Sequence, residues 1–311
     1  MIFRIIARTL ALLFASSVAL FVLLRAIPGN PAEIALGLSA TPETIAQRTQ
    51  ELGLDKSLWQ QYWSWIFGLL QGDAGISLSS GTPIAPQLIE HGAVSLTLAG
   101  CTIIISLIAA FILGALAAQP TRLGAILSGL TQLGIAIPSF LMSILLVTIF
   151  AVHLGWLPPS GWVSPTENFP RFLARLILPV LSLSLVQTAI LARYVRASLV
   201  ESMAADYFRT ALAMGATRTQ ALLRHSLRNA GIPVLTIAGI QLSAVLVGAV
   251  VVERVFVLPG LGSLLLSAVA ARDLVIIQTL VLLLVVFTLV VTMIIEIITV
   301  LVDPRLRKAA K

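Results

Sequence analysis

The sequence predicts an all-α membrane protein with six spanning helices, and three observations carry that expectation. Charged residues make up 11% of the chain and hydrophobic ones 58%, with a mean hydropathy of +1.02. A soluble domain carries about a quarter charged residues, so the polar surface of a water-soluble body is missing. Six long charge-poor stretches stand out, at 9–24, 92–121, 123–152, 176–192, 226–252 (with only Arg228 near its start) and 274–295. A spanning helix needs about 20 largely apolar residues. In hydrocarbon, such runs satisfy their backbone polar groups only by coiling into helices.

The first stretch follows Arg4 and Arg8, as in a signal peptide. The Arg25-Ala-Ile-Pro-Gly-Asn30 that comes next offers no small-x-small cleavage site, so the stretch reads as a retained anchor. The first and fourth stretches are short, but flanking arginines can snorkel to the interface. Residues 29–91 form the largest polar segment, an insertion on one side of the membrane. Within it, Thr41-Pro42-Glu43 is a helix start, with a cap, a first-turn proline and an acid at the positive dipole end. Gly53 ends that helix. Trp59, Tyr62, Trp63, Ile66, Leu69 and Leu70 recur at helical spacing, which reads as an interfacial helix packed on the bundle rather than a substrate site. Gly72-Asp73-Ala74-Gly75 turns the chain toward the second stretch. Pro138 lies inside the third stretch and is expected to kink it.

Between the fourth and fifth stretches lies a polar loop, 193–229. Residues 207–214 are helix formers ending at Gly215, and Thr217 with Gln220 is a capping-box pair. The result is helix, bend, helix, with small Ala211, Ala213 and Ala216 around the bend. Taken alone, this is equally an amphipathic surface loop or a docking element. Between the last two stretches, Glu253–Gly262 contains Pro259-Gly260, which favours a tight turn. Glu296 lies near the end of the sixth stretch and reads as an interfacial helix-end residue.

Charge sets orientation. With the N-terminus inside, 13 of the 20 Lys and Arg residues fall on the cytoplasmic side and 7 outside, so both termini are expected inside. Trp59, Trp63, Trp65, Trp156 and Trp162 then all fall outside. The net charge of +7 serves this orientation; no Lys/Arg run points to nucleic acid. The single Cys101 can form neither a disulfide nor a Cys-based metal site within the chain. His91, His153 and His225 are scattered, with no His-Glu-x-x-His or Gly-x-Ser-x-Gly, and no lysine stands in a phosphate-cradling loop. The expectation is no enzyme activity, cofactor or metal site.

The spacing Ala211…Gly215…His225-x-Leu227-Arg228 resembles the EAA loop of ATP-binding-cassette import permeases, in the variant of the dipeptide, oligopeptide and nickel permeases. The chain departs from the general motif in having Arg209-Thr210-Ala211 for Glu-Ala-Ala and Arg228 for the trailing proline, departures that subgroup tolerates. Gly53-Leu-Asp-Lys56, Gly72-Asp73-x-Gly75-x-Ser77, Pro138-Ser139-Phe140, Leu154-Gly155-Trp156-Leu157-Pro158, Leu191-Ala192-Arg193, Phe256-x-x-Pro259-Gly260-Leu261-Gly262, Arg272-Asp273 and Asp303-Pro304-Arg305-Leu306-Arg307 match in order along the chain. The resemblance implies a six-helix importer permease fold, one transmembrane domain over 1–311, with 29–91 extracytoplasmic and 193–229 a cytoplasmic coupling loop. It implies that Asp206, Tyr207, Arg209, Ala211, Gly215, Arg224, His225 and Arg228 engage an ATPase. The Glu253–Gly262 segment, with Glu253, Phe256, Pro259, Gly260 and Gly262, is then either a gate at the pore mouth or a plain connection. Implied partners are a second homologous permease, two cytoplasmic ATP-binding subunits, an extracytoplasmic solute-binding protein and membrane lipid. Cargo within this family ranges over peptides, nickel and metallophore chelates. An ion-coupled carrier or channel is the alternative from another class, against which stands the absence of an internal repeat.

Overall fold

A computed structural model describes residues 1–26, 33, 41–51, 53–222 and 227–302. It contains α1 (Ile2–Arg25), α2 (Pro42–Glu51), α3 (Leu58–Leu70), α4 (Ile84–Ala117), α5 (Arg122–Ala136), α6 (Ser139–Leu146), α7 (Phe169–Ala204), α8 (Asp206–Ala213), α9 (Arg218–Ala221), α10 (Leu227–Val255), α11 (Leu261–Ala270) and α12 (Leu274–Val302). A π-helical stretch, Val147–His153, continues α6. Among the described residues there is no strand, only one isolated bridge between Ile76 and Pro83.

Among the described residues, five helices are long and apolar enough to cross a membrane: α1, α4, α7, α10 and α12. The third charge-poor stretch differs from the expectation of one kinked helix. It forms α5 and α6, bent by 100° at Ile137–Pro138. The cause is local. A proline drives the residue before it out of the helical region, and Ile137 lies at φ −90°, ψ 118°. Pro138 then stands as the N-cap of α6. Two other boundaries move. Residues 84–91, read as insertion, are the first two turns of α4, and residues 193–204, read as loop, continue α7.

Helix ends follow their caps. Thr41 Oγ1 accepts from Thr44 N (3.3 Å) at the start of α2. That helix closes as expected at Gly53 (φ +63°), with Gly53 N bonded to Gln50 O and Leu54 N to Thr49 O. Ser57 and Gln60 make a complete capping box for α3, and Asn168 caps α7 through Arg171 N (3.0 Å).

The chain divides into two compact units. One is built on Ser95–Leu258, with Met1–Ile5 and the chain from Val291. Its centre is α7, packed by α5, α6 and α10. Lipid tails are as apolar as Leu, so close van der Waals fit, not hydrophobic burial, drives helix association here. Small residues provide that fit. A Cβ on Gly114 would lie 2.6 Å from Val195 Cβ, and one on Gly239 would meet Ile295 Cδ1 at 1.4 Å. Thr236 and Thr299 hydrogen-bond across α10 and α12 (3.0 Å).

The other unit comprises Ile6–Val94 and Pro259–Val290. Its core joins Ala74, Ile84, Leu261, Leu264, Ala268, Ile276 and Leu280. The aromatic face of α3 lies on α1. Tyr62 is buried, stands edge-on to Phe14 and Phe21, and shares a hydrogen bond of 2.8 Å with Ser17.

Candidate functional site

The residues singled out by sequence fall in two places, an elbow at 205–222 and a turn at 253–262. In the elbow, α7 ends because Ala205 takes an extended conformation (ψ 152°), and α8 begins with Asp206 at its positive end. Tyr207 is anchored by a hydrogen bond to Ser202. Phe208 is buried with Ala221 and Leu222, against Met203, Ala211 and Ala216. Ala211 and Ala216 are therefore inner packing residues of the elbow, while Ala213 and Arg209 are exposed. The bend is a left-handed helix stop. Gly215 has φ +90°, its N–H bonds Leu212 O, and Ala216 N bonds Ala211 O (3.1 Å). Thr217 N donates to Gln220 Oε1 (3.0 Å) and Gln220 N to Thr217 Oγ1 (3.3 Å), closing the expected capping box that starts α9.

What the sequence reading missed is the tip. Met214 is 82% exposed, with Leu212 and Tyr207 also exposed beside it. Two apolar side chains on a polar bend, held out by a buried Phe208, make a small hydrophobic knob. The signal is present in Leu212-Ala-Met214 ahead of the glycine, in a run read only as helix formers. Arg224 and His225 lie outside the described residues, as does the side chain of Arg228. Behind the elbow, Arg196 Nε donates to Ala117 O (3.1 Å), capping the end of α4 from α7.

In the second place, Glu253 is 1% exposed and accepts a hydrogen bond from Ser95 Oγ (2.5 Å). Phe256 is buried, and its carbonyl accepts from Gly161 N (2.8 Å). The turn is not at Pro259-Gly260 as expected but at Phe256-Val257. Gly260 is extended (φ −101°, ψ 176°) as the N-cap of α11, with Gly262 buried in its first turn. Val257 takes φ +51°, which for a β-branched residue costs on the order of 1–3 kcal/mol. It is held there by buried neighbours on both sides, Phe256 and Leu258, with Leu258 N bonded to Glu253 O (2.8 Å). His91 Nδ1 lies 3.1 Å from Gly260 O.

Two motifs that the sequence presented separately meet at Asp273. Its Oδ2 accepts from Ser77 Oγ (2.6 Å), Ser79 N (3.0 Å) and Ser79 Oγ (3.0 Å), while Oδ1 caps α12 through Ile276 N (3.2 Å). Burial alone would raise the carboxyl pKa. The bonds from Ser77, Ser79, Ile276 and Leu78 outweigh it and hold the group below its ordinary value. The described residues contain no group of three His, Cys, Asp or Glu suited to a metal ion.

Comparison with known proteins gives a consistent result. Residues 110–308 match the family model described as binding-protein-dependent transport system inner membrane component, and residues 1–88 match the model for the N-terminal part of such components. A probable peptide ABC transporter permease of Sinorhizobium fredii is 33% identical over 308 residues, 98% of each chain. The glutathione transport system permease of Escherichia coli K12 is 35% identical over 300 residues, 95% of this chain and 94% of its own. Among solved structures, the inward-facing methionine ABC transporter aligns with a TM-score of 0.60 at 17% identity, covering 71% of this chain and 98% of that one.

Proposed function

Because this chain belongs to the family of inner-membrane components of binding-protein-dependent transport systems, and so is the transmembrane permease subunit of an ATP-binding-cassette importer, we propose that its elbow couples ATP hydrolysis to peptide import. It is a multi-pass protein of the bacterial inner membrane, and an ATPase and a solute-binding protein are the partners its family implies. An ion-coupled carrier or channel is not favoured. The observation that carries the coupling reading is the exposed Leu212–Met214 tip beside Gly215, a rigid knob braced on α7. In this reading the knob and exposed Arg209 seat in a groove of a cytoplasmic ATP-binding subunit, which Arg224, His225 and Arg228 also engage. The importer holds two ATP-binding subunits and two permeases, the second a homologous chain completing a heterodimer. Residues 29–91 are extracytoplasmic, and the 253–262 turn closes the outer mouth of the path. The relatives named for peptides and glutathione favour peptides over nickel chelates as cargo.

The test is Gly215→Val. A Cβ there meets nothing within 4 Å, so the cost is backbone strain at φ +90°, on the order of 1–3 kcal/mol. Asn tolerates the left-handed region better. Gly215→Val permease is expected at normal membrane levels with uptake down roughly tenfold, and Gly215→Asn closer to wild type. In a Cys101→Ser background, Met214→Cys is expected to cross-link to the ATPase. Normal uptake by the Val variant, with no cross-link from position 214, would overturn the assignment.

A further inference from the structure

Resting on the reading of this chain as a peptide permease, we propose that Gln187 and Gln241 form a recognition point for the peptide backbone at the membrane midplane. Gln187 falls at the middle of α7 and Gln241 at the middle of α10. Gln187 is 7% exposed and Gln241 partly so, and Gln241 Nε2 donates to Gln187 Oε1 at 2.9 Å. That is the only side-chain hydrogen bond either makes among the described residues.

A primary amide carries two donors and a carbonyl with two lone pairs. The pair therefore leaves the Gln187 amide nitrogen and the Gln241 carbonyl unengaged. This holds whichever way the amides are turned. Flipping both groups leaves a free carbonyl on Gln187 and a free amide on Gln241. One free donor beside one free acceptor is the complement of a peptide group, which offers one C=O and one N–H.

The surroundings extend the argument. Ser184, one turn before Gln187, donates to Thr102 O (3.4 Å), which sets Thr102 at the same level. The hydroxyl of Thr102 is buried with no hydrogen-bond partner. Buried polar groups without partners are exceptions that need a cause. The Thr102 hydroxyl gains a partner only when the helices part at this level and admit a polar solute with its water, as a path here requires. The competing role is interhelical adhesion, which for such bonds in a bilayer is a modest gain. Adhesion accounts for the pair's single hydrogen bond and leaves the rest of its capacity unused.

The test uses the assembled importer in proteoliposomes, with a Cys101→Ser permease. Gln187→Cys and Gln241→Cys are treated with a water-soluble, membrane-impermeant thiol reagent in the resting and vanadate-trapped states. Val247→Cys, 68% exposed and six residues on, so about a third of a turn round α10 from Gln241, is the control off the proposed path. Both glutamine positions are expected to react in at least one state, and position 247 in none. Uptake of trialanine per complex is expected to fall roughly tenfold in Gln187→Leu, Gln241→Leu and the double variant, the rate equivalent of one lost hydrogen bond. Reduced recovery of complex with uptake per complex unchanged would show adhesion alone and overturn the proposal. So would two unreactive cysteines with wild-type trialanine uptake by the Leu variants, leaving the peptide reading intact. If the wild type imports neither trialanine nor glutathione, the peptide reading itself fails. Labelling then decides separately whether the pair faces a polar path.

Discussion

At Asp273 one carboxylate joins segments 194 and 196 residues apart in sequence and caps a spanning helix as well. The residue thus does for its unit what a disulfide does in a small secreted domain, using hydrogen bonds alone. Asp273→Ala removes the cap and strands Ser77 and Ser79. The expected loss is on the order of 3 kcal/mol. Asp273→Asn keeps a single accepting oxygen, so it retains either the cap or the serines, and its loss should be smaller. The charge also fixes a pH dependence. The folded carboxyl titrates below its ordinary value of 3.8, so its stabilisation is fully present above that value. It is lost as pH falls through the lower, folded value. Protease cleavage of the 76–83 loop should therefore rise below about pH 4 in the wild type. In Asp273→Asn it should be raised already at neutral pH, with less dependence on acid. A cleavage rate in the Asn variant equal to wild type at pH 7 would show that the clamp is not what holds the loop.

Among the elements, α3 shows how a short helix between two long ones is placed. Its sequence spacing identifies an apolar face, and Tyr62 decides where that face goes, because its ring meets Phe14 and Phe21 and its hydroxyl meets Ser17. Tyr62→Phe leaves Ser17 still bonded to Phe14 O (2.8 Å), so the loss should be about 1 kcal/mol. Tyr62→Ala empties the aromatic contact at about 3–5 kcal/mol. It should release α3 from α1, read as faster cleavage after Lys56; equal cleavage in both variants would refute the packing role. The same comparison shows what was legible in the sequence. Caps at Thr41 and Thr217 and stops at Gly53 and Gly215 are local chemistry, and local chemistry is written in adjacent residues. The 100° break at Pro138 was read too mildly, since a proline kink and a proline break share one signal and the neighbours decide. The extensions of α4 to Ile84 and of α7 to Ala204 were hidden because charge ends an apolar run without ending a helix. The Asp273 clamp and the Gln187–Gln241 pair lie across distant segments, and nothing in a single sequence marks which distant polar residues meet.

For the whole molecule, the broken pair α5–α6 controls the topology. If it crosses the bilayer, there are six crossings and both termini share a side. If it turns back, there are five and the termini oppose each other. The cation rule separates orientations within each count but not the counts themselves. With six crossings and the N-terminus inside, 13 of the 20 cations are cytoplasmic. With five and the N-terminus outside, Arg25, Arg48 and Lys56 replace Arg4, Arg8 and Arg122, and the split is again 13 to 7. Both arrangements put the elbow inside and residues 154–168 outside, so labels at 160 or 212 decide nothing between them. Positions 60 and 120 do. Six crossings place Gln60 outside and Pro120 inside, and five reverse both. The α3 aromatics favour six crossings, because Trp59, Trp63 and Trp65 then lie on the same side as Trp156 and Trp162. We expect Gln60→Cys, in a Cys101→Ser background, to react in intact cells with an impermeant maleimide, and Pro120→Cys to react only after the membrane is opened. The reverse pattern would establish five crossings and an N-terminus outside. Residues 29–91 would then be cytoplasmic, and the α3 helix would stand on the ATPase side of the membrane.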